Sequence, residues 1–135
     1  MVDPQAAMSD AEREVMKVFW DHGPLGVKDV MTRLTESGQE WTRSTVVTLL
    51  HRLESKQYLI SDRSAYAFVY RPALSREDEM HARMQELAGE LSEGEPVTLM
   101  LAFAERHQFS ADELARLQKM IDDLKQRTRG KRGGL

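Results

Sequence analysis

The stretch Thr42–Pro72, TRSTVVTLLHRLESKQYLISDRSAYAFVYRP, changes its period partway along. Up to Lys56 the apolar residues Val46, Leu49, Leu50 and Leu53 recur at the spacing of one face of an α-helix. Thr42 stands where a hydroxyl can cap the first turn. From Tyr58 the pattern is that of strands. Tyr58–Ser61 and Ala67–Arg71 are short runs of β-branched and aromatic residues around the polar Asp62-Arg63-Ser64, which predicts a β-hairpin. Pro72 has no amide proton to give to a ladder and closes the unit.

Two further helices precede this stretch. Ser9 with Glu12 forms a capping box, Ala11, Val15, Val18 and Phe19 follow at helical spacing, and Gly23-Pro24 supplies the stop, so a helix is predicted over Asp10–His22. Val27, Val30, Met31 and Leu34 predict a second over Val27–Glu36, ended by Ser37-Gly38. Helix, helix, helix and hairpin between Ser9 and Pro72 is the outline of a winged helix-turn-helix.

Beyond Pro72 the chain is helical with a different character. Met80, Met84, Leu87 and Leu91 share one face of a helix predicted over Arg76–Ser92, broken by Gly94-Glu95-Pro96. Val97–His107 follows, containing Leu99 and Phe103. Ser110 and Glu113 then open a helix through Leu114, Leu117, Ile121 and Leu124. Helices this short and this apolar cannot bury their stripes against one another, so these ten side chains are expected to form a dimer interface. The end, from Arg127, is basic and Gly-rich and is expected to fray. The expected architecture is mainly α with a small hairpin: a winged helix over 1–73, a helical dimerisation region over 74–126 and a basic tail over 127–135.

Composition narrows the function. The chain has 135 residues, no cysteine, and 19 Lys and Arg against 22 Asp and Glu, a net charge of −3. Thiolate metal sites, disulfides and cysteine nucleophiles are thereby excluded. The beginning of the sequence lacks a basic start and an apolar core, and the most apolar window, Val97–Ala104, is too short to span a bilayer. A cytoplasmic location without membrane insertion is the expectation. The net charge offers no global attraction for a polyanion, but it averages two regions. Residues 42–71 carry five cations against two carboxylates, a net of +3, whereas residues 76–95 hold seven carboxylates against two cations, a net of −5.

The third helix, stripped of its apolar face, leaves Arg43, Ser44, Thr45, Val47, Thr48, His51, Arg52 and Ser55. Arg reads guanine bidentately, and short hydroxyls permit close approach to phosphates. An ordinary solvated helix face would favour Glu, Lys and Ala. Two arginines on an exposed helix are nevertheless common, so this helix alone leaves both readings open. The hairpin tip, Arg63-Ser64, adds a cation where a wing meets the phosphate backbone. The predicted DNA contacts are Arg43, Ser44, Thr45, Thr48, His51, Arg52 and Arg63, with Tyr66 a weaker candidate. No catalytic residues, metal ligands or cofactor are predicted, and the chain is not expected to be an enzyme. His22, His51, His81 and His107 are dispersed, and Glu77 with His81 makes only half a metal site. The rival class is a winged helix that binds a partner protein through the acidic segment.

The pieces Ser9-Asp10-Ala11-Glu12, Glu14-Val15-Met16-Lys17, Trp20, Trp41, Thr45-Val46-Val47-Thr48-Leu49-Leu50, Arg52-Leu53 and Phe68-Val69-Tyr70 with Pro72 together resemble the BlaI/MecI/CopY penicillinase-repressor family of winged-helix transcription factors. The resemblance runs from Ser9 to about Leu124. It implies a homodimer that represses transcription on palindromic double-stranded operator DNA and is relieved by cleavage in the dimerisation region after a membrane sensor protease detects a signal. Family members commonly break at an Asn-Phe bond. The corresponding pair here is Ala102-Phe103, which lacks the Asn. Arg13 replaces an aromatic usual in the family, and the absence of cysteine excludes the thiolate copper sensors.

Overall fold

A computed structural model of the chain describes residues 6–63 and 68–133, with side chains as far as residue 130. The element order is α1 Asp10–His22, α2 Val27–Glu36, α3 Arg43–Ser55, β1 Leu59–Asp62, β2 Val69–Pro72, α4 Arg76–Leu91, α5 Pro96–Arg106 and α6 Ala111–Gly133. By contacts the chain divides into two units, 1–84 and 85–135. The division falls inside α4, downstream of the boundary expected after residue 73.

Local chemistry sets the helix ends in the first unit. The Ser9 hydroxyl accepts from the Glu12 amide while Glu12 Oε1 accepts from the Ser9 amide, at 3.1 and 3.0 Å. Gly23, at φ 81°, ends α1 by donating to the Phe19 carbonyl; a side chain in this left-handed conformation would be strained. Thr42 caps α3 by accepting from the Thr45 amide at 3.3 Å. Ser75 and Asp78 form a further box at the start of α4, one that the sequence reading did not identify.

The apolar stripes of α1, α2 and α3 meet in one core. Val15, Met16 and Phe19 pack with Val30, Leu34, Val46, Leu50 and Leu53, all fully buried or nearly so. The hairpin closes this core from the side. β1 and β2 pair antiparallel with Ile60 opposite Arg71 and Ser61 opposite Tyr70, and Tyr58, Leu59 and Tyr70 turn inward. Leu25, just before α2, exchanges two backbone hydrogen bonds with Tyr70 at 2.9 and 3.0 Å, so the sheet gains a one-residue third rung. Burial raises the Tyr70 hydroxyl above its ordinary pKa, reinforced by the charge of Glu54 and opposed by Arg63.

The second unit lacks a comparable centre. Ala88 at the end of α4 is buried, but among the described residues of α5 and α6 none is. Pro96 fits the first turn of α5, where no amide partner is lost, and Ser110 with Glu113 opens α6 as a capping box. The basic stretch expected to fray continues α6 as helix through Gly133. Lys, Arg and Gln are good helix formers, and cations near a helix C-terminus complement its dipole. No helix among the described residues is long and apolar enough to cross a membrane.

Candidate nucleic-acid interface

On α3 the buried residues Val46, Leu49, Leu50 and Leu53 define one side, and Ser44, Thr48, His51 and Ser55 lie opposite at helical spacing. Arg52 and Thr45 flank this exposed strip on one side, Arg43 and Val47 on the other. All six predicted α3 contacts, Arg43, Ser44, Thr45, Thr48, His51 and Arg52, are exposed, and the helix therefore presents them to solvent as a set. Among the described residues Arg43 and Arg52 take part in no ion pair, so each guanidinium keeps its donors for an external acceptor.

The hydroxyls are less uniformly available. Thr48 Oγ1 donates to the Ser44 carbonyl at 2.9 Å, and Thr45 Oγ1 accepts from Thr42 Oγ1 at 3.0 Å. Thr48 can thus only accept from a ligand, whereas Thr45 retains its own proton. Thr42→Ala should remove the cap, cost about 1 kcal/mol in thermal or urea unfolding, and loosen the turn that carries Arg43 and Ser44. An unchanged midpoint would mean that the cap is idle.

The wing brings Arg63 to the surface, where its guanidinium lies 4.7 Å over the Phe68 ring. This cation–π contact holds the cation at the end of the hairpin. Ser64 and Tyr66, the other predicted wing residues, lie outside the described residues. Arg71 was not among the predicted contacts, yet it is exposed on β2 beside the buried Tyr70; strand alternation was the signal that could have found it. Ser61 Oγ donates to Glu54 Oε2, joining β1 to the end of α3.

Lys56 alters the charge reading. Its ammonium donates to Glu12 Oε1 at 2.8 Å and to the Ala7 carbonyl at 3.1 Å, so one of the five cations between residues 42 and 71 is spent inside the fold. Arg13 pairs with Asp10 at 3.0 Å. Among the described residues no three metal-binding side chains gather, and Glu77 and His81 belong to no such group.

A three-helix core with an exposed, cationic third helix and a flanking hairpin defines the class: a winged helix-turn-helix regulator. The penicillinase repressor family model matches residues 8–123. The chain belongs to that family. It is 30% identical over 120 residues to the penicillinase repressor of Bacillus licheniformis, covering 89% of this chain and 93% of the relative. It is also 23% identical over 115 residues to the methicillin resistance regulatory protein MecI of Staphylococcus aureus strain N315, covering 85% and 93%. Among solved structures, the Bacillus licheniformis BlaI monomeric form in complex with the blaP half-operator is 34% identical, with 57% of this chain and 93% of that chain covered and a TM-score of 0.49.

Proposed function

We propose that the chain is a homodimeric transcriptional repressor whose α3 enters the major groove of a palindromic operator, acting in the cytoplasm where the chromosome is. Arg43, Ser44, Thr45, Thr48, His51 and Arg52 meet the DNA, with Arg63 on the wing. The observation that carries this reading is the strip of α3 opposite the core, which holds hydroxyls and a histidine and is flanked by two arginines that form no ion pair among the described residues. Membership of a repressor family supports it independently.

Exposed apolar side chains from α4 to α6 support dimerisation. Leu91, Phe103, Leu114, Leu117, Ile121 and Leu124 are exposed, with Phe103 at 64% and Leu91 at 70%. Met80 and Met84 are exposed as well, and Leu87 and Leu99 are half-buried. Val97, Met100, Leu101 and Met120, which the sequence reading did not single out, are exposed as well. An area this apolar is covered by a partner in soluble proteins, and a second copy supplies a matching one. Release by a membrane sensor protease acts at Ala102-Phe103, both exposed on α5. Because proteases cut extended chain, α5 has to unwind locally first. Mass spectrometry of protein recovered from induced cells tests the cut, and persistence of intact chain alone excludes it.

The DNA assignment is tested by selecting bound sequences from random duplex DNA, then measuring Arg43→Ala and Arg52→Ala on the selected operator at fixed salt. Each is expected to lose about 1–3 kcal/mol and to relax preference at one base position. Unchanged affinity in both rejects α3 as the reading helix. Affinity should fall steeply with salt as phosphates are neutralised; a salt-independent interaction would instead favour a protein partner.

A further inference from the structure

We propose that the last turns of α6, from Lys125 onward, are a second nucleic-acid contact, one that grips the phosphate backbone of duplex DNA beside the operator. Its role rests on the DNA-binding reading of α3, to which it adds a grip indifferent to base sequence. α6 outruns its own apolar stripe. Leu114, Leu117, Ile121 and Leu124 share one face, and the next positions on that face are Thr128 and Lys131. Residues 125–134 carry no apolar side chain, although the helix continues to Gly133. The apolar surface offered to a second copy therefore stops about two turns before the helix does.

Charge replaces the stripe. Lys125, Arg127, Arg129, Lys131 and Arg132 follow one another closely, and no acidic side chain stands after Asp123. Lys125, Arg127 and Arg129 are exposed and take part in no ion pair among the described residues. Asp122, one turn before Lys125, accepts instead from Gln118 Nε2 at 3.0 Å. A helix dipole accounts for cations in the last turn only, and Lys125 and Arg127 stand before it. Lys125 and Arg129, four residues apart, repel each other across one turn, and an anion bound between them reverses that cost.

The side chains that are missing select the polyanion. A helix lying on a lipid surface needs an apolar face, and a groove for single strands stacks bases on aromatic rings. Residues 125–134 offer neither. Duplex phosphates require only cations, and Arg presents a planar fork to them. From Lys125 to Arg132 the helix rises about 10 Å, along which a duplex displays about six charges, so the two charge densities match.

Binding of the full untagged chain to three duplexes tests the assignment: the selected operator alone, the same operator lengthened by about two helical turns of scrambled sequence on each side, and scrambled sequence throughout. The flanks should raise wild-type affinity about tenfold. In Lys125→Gln/Arg127→Gln/Arg129→Gln, whose replacements keep helix propensity, that gain should vanish while the bare operator is bound as before. The slope of log affinity against log salt on the lengthened operator should drop by about 2 or more. Arg127→Lys/Arg129→Lys should keep the gain. Lys131→Gln/Arg132→Gln should lower it, and serves if the triple variant does not fold by circular dichroism. A wild type that binds no duplex defeats the α3 reading together with this one. A wild type that binds the operator without a flank gain, or a neutralised variant with unchanged gain or unchanged salt slope, overturns this one alone. A triple variant that becomes monomeric by sedimentation equilibrium also overturns it, because the stretch then belongs to the contact between copies.

Discussion

Lys56→Met should destabilise the first unit by about 3–5 kcal/mol at neutral pH, read from urea unfolding. Glu12 is 2% exposed, and its Oε1 accepts from Lys56 and Ser9 while its Oε2 has no partner among the described residues. Burial pushes the Glu12 carboxyl up, but hydrogen bonds from Lys56 and Ser9 and the Lys56 charge outweigh it, holding the pKa below its ordinary 4.5. The pair's contribution is therefore complete above that value and fades as pH falls through the lower folded value. Without Lys56 the carboxylate is left buried and uncompensated, so its pKa rises and the variant recovers relative stability in acid, where the wild type is losing it. The double variant Glu12→Gln/Lys56→Met should regain most of the loss. A Lys56→Met chain within about 1 kcal/mol of wild type at both pH 7 and pH 4 would show that the pair is not the anchor described here.

The second large effect concerns assembly. Leu117→Asp combined with Ile121→Asp should yield a monomer by sedimentation equilibrium while leaving the helical signal intact, since both side chains are exposed in the single chain. Affinity for a full palindrome should then fall by roughly 10²–10⁴, towards that for a half-site, because the second contact is no longer intramolecular. Half-site affinity itself should not change. A variant that stays dimeric, or that keeps full-operator affinity as a monomer, would place the interface elsewhere.

What was legible in the sequence follows the range of the interactions concerned. The limits of α1 and α2 and the cap of α3 could be read because Ser9 with Glu12, Gly23 and Thr42 act over three or four residues. The exposed strip of α3 was legible for the same reason, a fixed helical period setting it opposite four leucine and valine side chains. The Ser75–Asp78 box escaped notice because Asp stands in the place where Glu or Gln is the usual signature. Lys56 was counted with the DNA face because its partner is remote in sequence and reaches it only when α1 packs on α3. The Leu25–Tyr70 rung has no local signature, since it joins residues far apart in the chain.

The short segment before α1 has a practical bearing on redesign. Tyr58 Oη donates to the Ala6 carbonyl at 2.9 Å, and Lys56 Nζ reaches the Ala7 carbonyl. Both contacts engage main-chain oxygen, and are therefore indifferent to which side chains positions 6 and 7 bear. Such a tether is silent to substitution and sensitive to deletion. Library variation at Ala6 and Ala7 will pass unnoticed, whereas a truncation that starts the chain at Met8 strips the acceptors from Lys56 and Tyr58, just beyond the end of α3, and affinity tags on this protein are better carried at the other terminus.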